Sequence, residues 1–402
     1  MRGAPRAVFV SFEAEEIVMK KVYIITTHTV PTEHPNAVRL ANLGLIFKEL
    51  GYEVSLVGFD HKPDRTEEYK GMRCLVYNIP NAQGISANLK RGRYVKSMVA
   101  ALLESEETPE IIVSSMYNCP LQRYLISHAK KNNIKLIQTV CEWFDKSAFP
   151  GLKGKVKLIN NRYSLYCQFP RVGNIIAIST LQAGYYAERG CNTVVIPTLV
   201  DSEEYDGVTA YYTPNTKLAI AYAGSPAKKD YLANVIRAIG LLSEEERAGI
   251  ELHLYGCTTE GLIGLGIDEK FLKDNERTII CHGRIPYCEV KEKIAKADFT
   301  VLLRPNMRYA NAGFPTKVGE SMACGTPVIA NLTSDLGKYL VDGSNAIICE
   351  NETPEACATA LRKALNVPKE ELMLMRSNAR STALSSFNWM SYTAELKKFL
   401  EL

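Results

Sequence analysis

NAGFPTKVGESMACGTPVIA, residues 311–330, is the stretch on which the reading of the chain turns. Gly313, Phe314 and Pro315 form a turn signal that opens a short helix, Gly325 stops that helix, and Thr326-Pro327 lead into an apolar strand at residues 328–330. A helix that begins on a glycine turn offers unpaired backbone N–H groups and the positive end of its dipole, which suits a phosphate group. Thr316 and Glu320 stand four residues apart and so share one face of it. A phosphate at the helix mouth and ribose hydroxyls against Glu320 would use both side chains. The other reading is an ordinary strand-connecting helix with Glu320 in solvent. Local pattern leaves both open, because turn, helix, glycine and strand follow one another often in α/β proteins.

The same residues resemble the nucleotide-sugar signature of the retaining GT-B glycosyltransferases of family 4, the glycosyl transferases group 1 type: Gly313, Phe314, Glu320 and the MACGTPVI of residues 322–329 match. The resemblance implies an α/β protein of GT-B fold, two doubly wound Rossmann-like domains facing across a cleft. It further implies a nucleotide-diphosphate sugar, most readily a UDP or GDP sugar, as donor substrate, with no cofactor required. The chain departs from the family at Ala312, which stands where relatives carry the first glutamate of Glu-x7-Glu, near the hydroxyls of the donor sugar.

The totals agree with two soluble domains. The chain has 402 residues, 46% hydrophobic and 23% charged, enough for each half to bury its own core. No run approaches the roughly 20 apolar residues that span a bilayer. The 11 cysteines are scattered and form no C-x-x-C pair, so they suggest neither a zinc site nor a disulfide framework, and a reducing cytoplasm is the expected compartment. Net charge is +4 but uneven: residues 1–200 hold 25 basic against 17 acidic side chains, residues 201–402 hold 23 against 27. A basic first half suits an anionic membrane surface or acceptor. Nucleic acid would fit the sign, but no nucleic-acid-binding motif accompanies it, and none is expected as a partner.

Residues 1–18 make a poor signal peptide, their short apolar patch being followed by Glu13, Glu15 and Glu16, and the native start is expected at Met19. From there strands at residues 22–26 and 53–59 flank a helix at residues 38–50 that ends at Gly51, the alternation of a doubly wound parallel sheet. Ligands of such sheets bind beyond the carboxyl ends of the strands, so His28, His34 and Arg39 either touch an acceptor or are merely solvated. Residues 88–103 place Lys90, Arg91, Arg93 and Lys96 beside Val95, Met98, Val99 and Leu102. Residues 151–171 mix Lys153, Lys155, Lys157 and Arg162 with Leu158, Ile159, Tyr163 and Tyr166. Each stretch reads as a membrane-surface element or as a surface helix with its apolar side on the core. The strand at residues 135–140 runs into Cys141 and Glu142. Relatives of the resembled family carry a histidine near here against the donor sugar, so Glu142 is either a ligand of sugar or acceptor or a buried structural glutamate. The resemblance continues through IAIS at residues 176–179 and Ile196-Pro197 with Val200-Asp201.

The polar, turn-rich residues 201–215 separate an acceptor-side domain at 19–200 from a nucleotide-sugar domain at 216–385. The second domain opens on a strand at residues 218–223, then Gly224, Ser225, Pro226, Ala227, Lys228, Lys229 and Asp230. Small residues at a strand end with a lysine at a helix start make a second phosphate cradle. In the family that lysine binds the diphosphate, and Lys229 fits best; Ser225 replaces an arginine of some relatives, so Lys228, Lys317 or Arg304 would supply the missing charge. By the same resemblance Arg284 and Ile285 border the nucleobase. Arg304 closes an apolar strand and should face the cleft or pair with an acid. The last helix, within residues 386–402, folds back across the first domain in relatives.

No Asp-x-Asp occurs, so no metal site is expected and lysines with helix dipoles would neutralise the leaving diphosphate. The expected function is transfer of a sugar from nucleotide diphosphate to an acceptor hydroxyl with retained configuration, with Glu142, Lys229 and Glu320 at the reacting centre. The acceptor would be a lipid-linked sugar or polysaccharide at the inner membrane face. Alternatives are a catalytically silent GT-B partner, motivated by Ala312, and a GT-B sugar-nucleotide epimerase.

Overall fold

The computed structural model describes residues 20–31, 34–80, 85–106, 108–146, 149, 151–226 and 229–401. The expectations for the leader at residues 1–18, for Met19, for Lys228 and for the side chain of Lys153 lie outside the described residues. Among the described residues fourteen short strands build two sheets. The first contains β1 (Lys21–Ile25), β2 (Glu53–Asp60), β3 (Arg65–Tyr69), β4 (Met72–Asn78), β5 (Ile111–Ser114), β6 (Lys135–Val140), β7 (Asn174–Ala177) and β8 (Asn192–Val195), in the order β3-β4-β2-β1-β5-β6-β7-β8. The second contains β9 (Leu218–Ala223), β10 (Ile250–Tyr255), β11 (Ile279–Gly283), β12 (Phe299–Leu302), β13 (Val328–Asn331) and β14 (Ala346–Cys349), in the order β11-β10-β9-β12-β13-β14.

The central strands are apolar and buried on both faces, as helix-covered parallel strands must be. One pair departs from the expected parallel sheet. β3 runs antiparallel to β4 at the sheet edge, through a turn in which Lys70 has φ 50° and Gly71 φ 72°. Its sequence, RTEEY, is polar and largely exposed, so it carries no apolar run by which to be recognised.

Helices cover both sheets. α1 (Pro35–Glu49) begins three residues before the expected Val38, because Pro35 suits the first helical turn and His34 Nδ1 accepts the Asn36 N–H at 3.3 Å. Arg39 on α1 is 2% exposed and acts as a rivet: its guanidinium donates to Thr139 Oγ1 at 2.8 Å, Ile196 O at 2.9 Å and Pro197 O at 3.3 Å. α2 (Ile85–Ser105) turns Val95, Val99 and Leu102 into the core, so the membrane-insertion reading of this stretch is overturned. α3 (Cys119–Asn132) packs against α2, and α4 (Gly151–Tyr163) follows the loop after β6.

The two halves are clasped at several points. Phe387 is fully buried against Phe314 and Tyr339, with ring centroids 5.6 Å and 4.8 Å away, and its carbonyl accepts the Val200 N–H at 2.8 Å. Trp389, Leu396 and Phe399, from the end of the chain, bury themselves among the α1 and β1 residues of the first half. Residues 201–215 are tied down rather than loose: Tyr205 and Val208 are buried, and Glu204 accepts from Tyr69, Lys70 and Lys291. Replacing Phe387 with alanine empties the site where the halves meet, and Phe387→Ala is expected to cost about 3–5 kcal/mol in urea unfolding. An unchanged unfolding midpoint would show that Phe387 is not part of the clasp.

Candidate functional site

In a doubly wound sheet the crevice opens where the strand order reverses, beyond the carboxyl ends. In the second sheet that point lies between β9 and β12, so the segment after β9 and the segment after β12 are neighbours. The Tyr231 N–H, bonded to Leu303 O at 2.8 Å, fixes them together and sets Lys229 and Asp230 beside Arg304. Across from them β1 and β6 end at residues 26–36 and at Cys141-Glu142.

A cavity of about 310 Å³ lies between these loops. His34, Pro35, Asn36, Arg39, Cys141, Glu142 and Ile178 line it from the first half. Lys229, Asp230, Arg304, Gly313, Phe314, Pro315, Thr316 and Lys317 line it from the second. Four basic side chains face two acidic ones, Glu142 and Asp230, leaving an excess of two positive charges.

Lys229 pairs with Glu142 across the cleft, and Lys317 pairs with Asp230 while also donating to Tyr222 Oη at 2.9 Å. Arg304 is left over. It is 4% exposed, its Nε lies 4.0 Å from Asp230 Oδ1, and among the described residues Nε and Nη1 have no hydrogen-bond partner. Burial lowers its pKa, against the pull of Asp230 and Glu142. Its backbone is clamped by Asn331, whose side chain accepts the Arg304 N–H and donates to the Arg304 carbonyl, both at 2.8 Å. A buried guanidinium held in place with free N–H groups is an anion receptor.

The Thr316–Ala323 helix starts behind Pro315 with no side-chain cap, so its first amides are left for a ligand at the cavity. Lys317 reaches back over Gly224, whose φ is 137° and on which a Cβ would come within 2.7 Å of Lys317 Cε. Side chains rarely adopt that backbone, so glycine suits the position and leaves Lys317 its path.

The site collects most of the residues expected from sequence, though not all. Glu320 does not line the cavity; it lies one turn behind, near Tyr287 and Lys291, with its carboxyl raised by burial against the opposing pull of Lys317 and Lys291. Arg284 is exposed and Ile285 half-buried after β11, beyond the cavity, where Tyr255 and His282 stack with centroids 4.5 Å apart. Gly224 and Ser225 stand behind Lys317 and in solvent, respectively. Phe314 lines the cavity, while its ring packs on Phe387 and Tyr339. The Glu142 side chain is 41% exposed, which overturns the buried structural reading of it. Cys141 is a thiol, its pKa pushed up to about 11 by burial and by Glu142.

Some groups escaped the sequence reading. Ser179 donates to Ala312 O at 2.7 Å, and the Thr180 N–H donates to Asp335 at 2.8 Å, joining the halves beside the cavity. The Arg308 guanidinium lies 4.1 Å from the Trp143 ring centroid across the same gap. Such pairs depend on two residues far apart in the chain, and no local motif signals them.

Residues 210–382 match the family Glycosyl transferases group 1. A glycosyltransferase of Methanocaldococcus jannaschii, itself uncharacterized, is 27% identical over 142 residues, 35% of this chain and 38% of that protein. Escherichia coli K12 WcaL, whose name assigns it to colanic acid biosynthesis, is 25% identical over 280 residues, 63% of each chain. The chain thus spans less than two thirds of the length of these curated relatives. Sucrose-phosphate synthase from Thermosynechococcus elongatus superposes with a TM-score of 0.71 at 15% identity, covering 95% of this chain and 98% of that one. Anabaena HepE in complex with UDP and glucose superposes at 0.64 with 13% identity, covering 95% and 99%. These likenesses show the GT-B fold for the chain, with the family match confined to its second half.

His34, which lines the cavity, stacks on His28, and the pair gives a pH signature. His28 and His34 lie 3.7 Å apart, and burial followed by His34 lowers His28 to about 4. A histidine depressed on folding is protonated first in the unfolded chain, whose value is about 6.5, so stability is complete above that pH and falls as pH drops toward 4. In urea unfolding followed against pH, His28→Gln is expected to flatten this slope, leaving the smaller part due to His34. An unaltered slope would contradict the assignment.

Proposed function

We propose that the chain transfers a sugar from a nucleotide-diphosphate sugar to an acceptor hydroxyl. The observation that carries this reading is Arg304, buried and only half answered by Asp230, beside Lys229, Lys317 and the open end of the Thr316–Ala323 helix. These groups surround one point with donors and cations, which a diphosphate would satisfy. UDP is the first nucleotide to test, because the Anabaena neighbour holds UDP and glucose. A cell-surface polysaccharide or lipid-linked acceptor is supported by the colanic acid assignment of WcaL.

In this reading Lys229, Lys317 and Arg304 hold the departing diphosphate and take the place of a metal. Glu320, Arg284 and Ile285 lie toward the nucleoside. Glu142 leaves Lys229 when the diphosphate arrives and turns to the transferred sugar or the acceptor. The pair it leaves is 41% and 30% exposed, so breaking it costs at most about 1 kcal/mol. Donor and acceptor then react on one face: the sugar–phosphate bond breaks, the acceptor oxygen bonds to the same carbon, and the leaving diphosphate accepts the acceptor's proton. This gives retention without a dedicated base. The clasp between the halves excludes water from the donor.

A second reading, a catalytically silent partner, is favoured by one residue. Ala312 is fully buried where the family carries a glutamate, and its carbonyl is occupied by Ser179. It predicts nucleotide binding without turnover.

A ligand that binds only the folded state raises its melting midpoint. UDP or UDP-glucose is expected to raise that of the chain, and Lys229→Ala to weaken binding about 10- to 100-fold, the loss of one charge-assisted contact. No shift with UDP, GDP or ADP would contradict the proposal.

A further inference from the structure

One surface is left over by the fold and the cavity. On α4 and the turn that continues it, Leu152, Val156, Ile159, Tyr163 and Tyr166 recur at spacings of four, three, four and three residues, placing them on one helical face. That face is bare: Leu152 is 76% exposed and Ile159 68%, and the other three are between 38% and 41%. Leu158, which the sequence reading grouped with them, points the other way and is buried.

The segment that carries the stripe is basic. Residues 146–187 contain six basic residues and no acidic one. Beside α4, where α2 meets α3, a second cavity of about 510 Å³ is lined by Arg93, Lys96 and Arg123. None of the three forms an ion pair among the described residues. The cavity adjoins α4 directly, since Cys119 on its wall donates to Asn160 O at 3.3 Å.

We infer that this face is a docking surface for an anionic lipid bilayer, with the α4 stripe sunk into the acyl boundary and the Arg93, Lys96 and Arg123 cavity receiving a lipid phosphate. A helix that lies in the interface needs an apolar face and flanking cations, and both are here. A second copy of this chain fits less well, because a two-fold contact would set Lys155, Lys157 and the basic cavity of each copy against those of the other. The inference deepens the proposed function and rests on it for one point only, the acceptor. Tyr166 meets Trp143 at 5.8 Å between centroids, and Trp143 follows Glu142 in the chain, so the stripe ends beside the first cavity. A lipid-linked acceptor held in the bilayer would arrive there.

Vesicle binding tests the surface without any sugar substrate. The full chain is expected to co-sediment with vesicles of phosphatidylcholine mixed with phosphatidylglycerol, not with phosphatidylcholine alone, and less at raised salt. Leu152→Ser with Ile159→Ser should weaken binding roughly 10-fold or more. Arg93→Gln, Lys96→Gln and Arg123→Gln should each weaken it about 5-fold. All these side chains lie away from the first cavity, so the UDP-induced rise in melting midpoint should persist in every variant. Failure of the wild-type chain to sediment with anionic vesicles overturns the inference, as does binding that the substitutions leave unchanged. So does a dimer in light scattering that the Leu152→Ser, Ile159→Ser pair dissociates. Loss of the UDP effect in the wild-type chain would instead count against the transferase reading, leaving the lipid result to stand by itself.

Discussion

Arg304 is a cation that its surroundings only half answer. Burial takes the guanidinium out of water, the nearest carboxylate is already engaged by Lys317 and Tyr222, and Asn331 prevents the backbone from carrying the side chain elsewhere. A desolvated charge without hydrogen bonds is costly, and proteins keep one where a ligand of opposite sign completes it. The rest of the second domain follows from that requirement. The strand order of its sheet brings the ends of β9 and β12 together, Gly224 lets Lys317 cross over the turn, and the uncapped helix at Thr316 aims its amides at the same space.

The first half contributes what the second lacks. Glu142 occupies Lys229 across the cleft, a pair exposed enough to be exchanged at little cost for a diphosphate. The clasp at Ser179, Thr180, Asp335 and Phe387 holds the halves close enough for that exchange. That pair draws the two walls together as long as no diphosphate takes Lys229. Arg39 is held apart from the exchange, its guanidinium tied to Thr139, Ile196 and Pro197.

Much of this was legible in the sequence, for definite reasons. The helix after Gly313 is announced by its own turn residues, and the apolar strand ending in Arg304 draws attention because a charge there must be answered. Lys229 could be read from its position at a strand-to-helix turn. What failed to be legible depends on packing. β3 has no apolar run because it lies on an edge in solvent. The displacement of Glu320 behind the cavity reflects how the helix is rotated against Tyr287 and Lys291, which spacing within one helix cannot reveal. α2 and α4 look alike as basic amphipathic stretches. They separate only once α2 is seen to have a sheet to cover while α4 leaves its stripe bare.

The most direct test of the central claim is a crystal structure of the chain soaked with UDP. The diphosphate is expected within hydrogen-bonding distance of Arg304, Lys229 and the first amides of the Thr316–Ala323 helix, with Glu142 released from Lys229. A diphosphate bound elsewhere, or an occupied cavity with Arg304 still unpartnered and the Glu142–Lys229 pair intact, would contradict it.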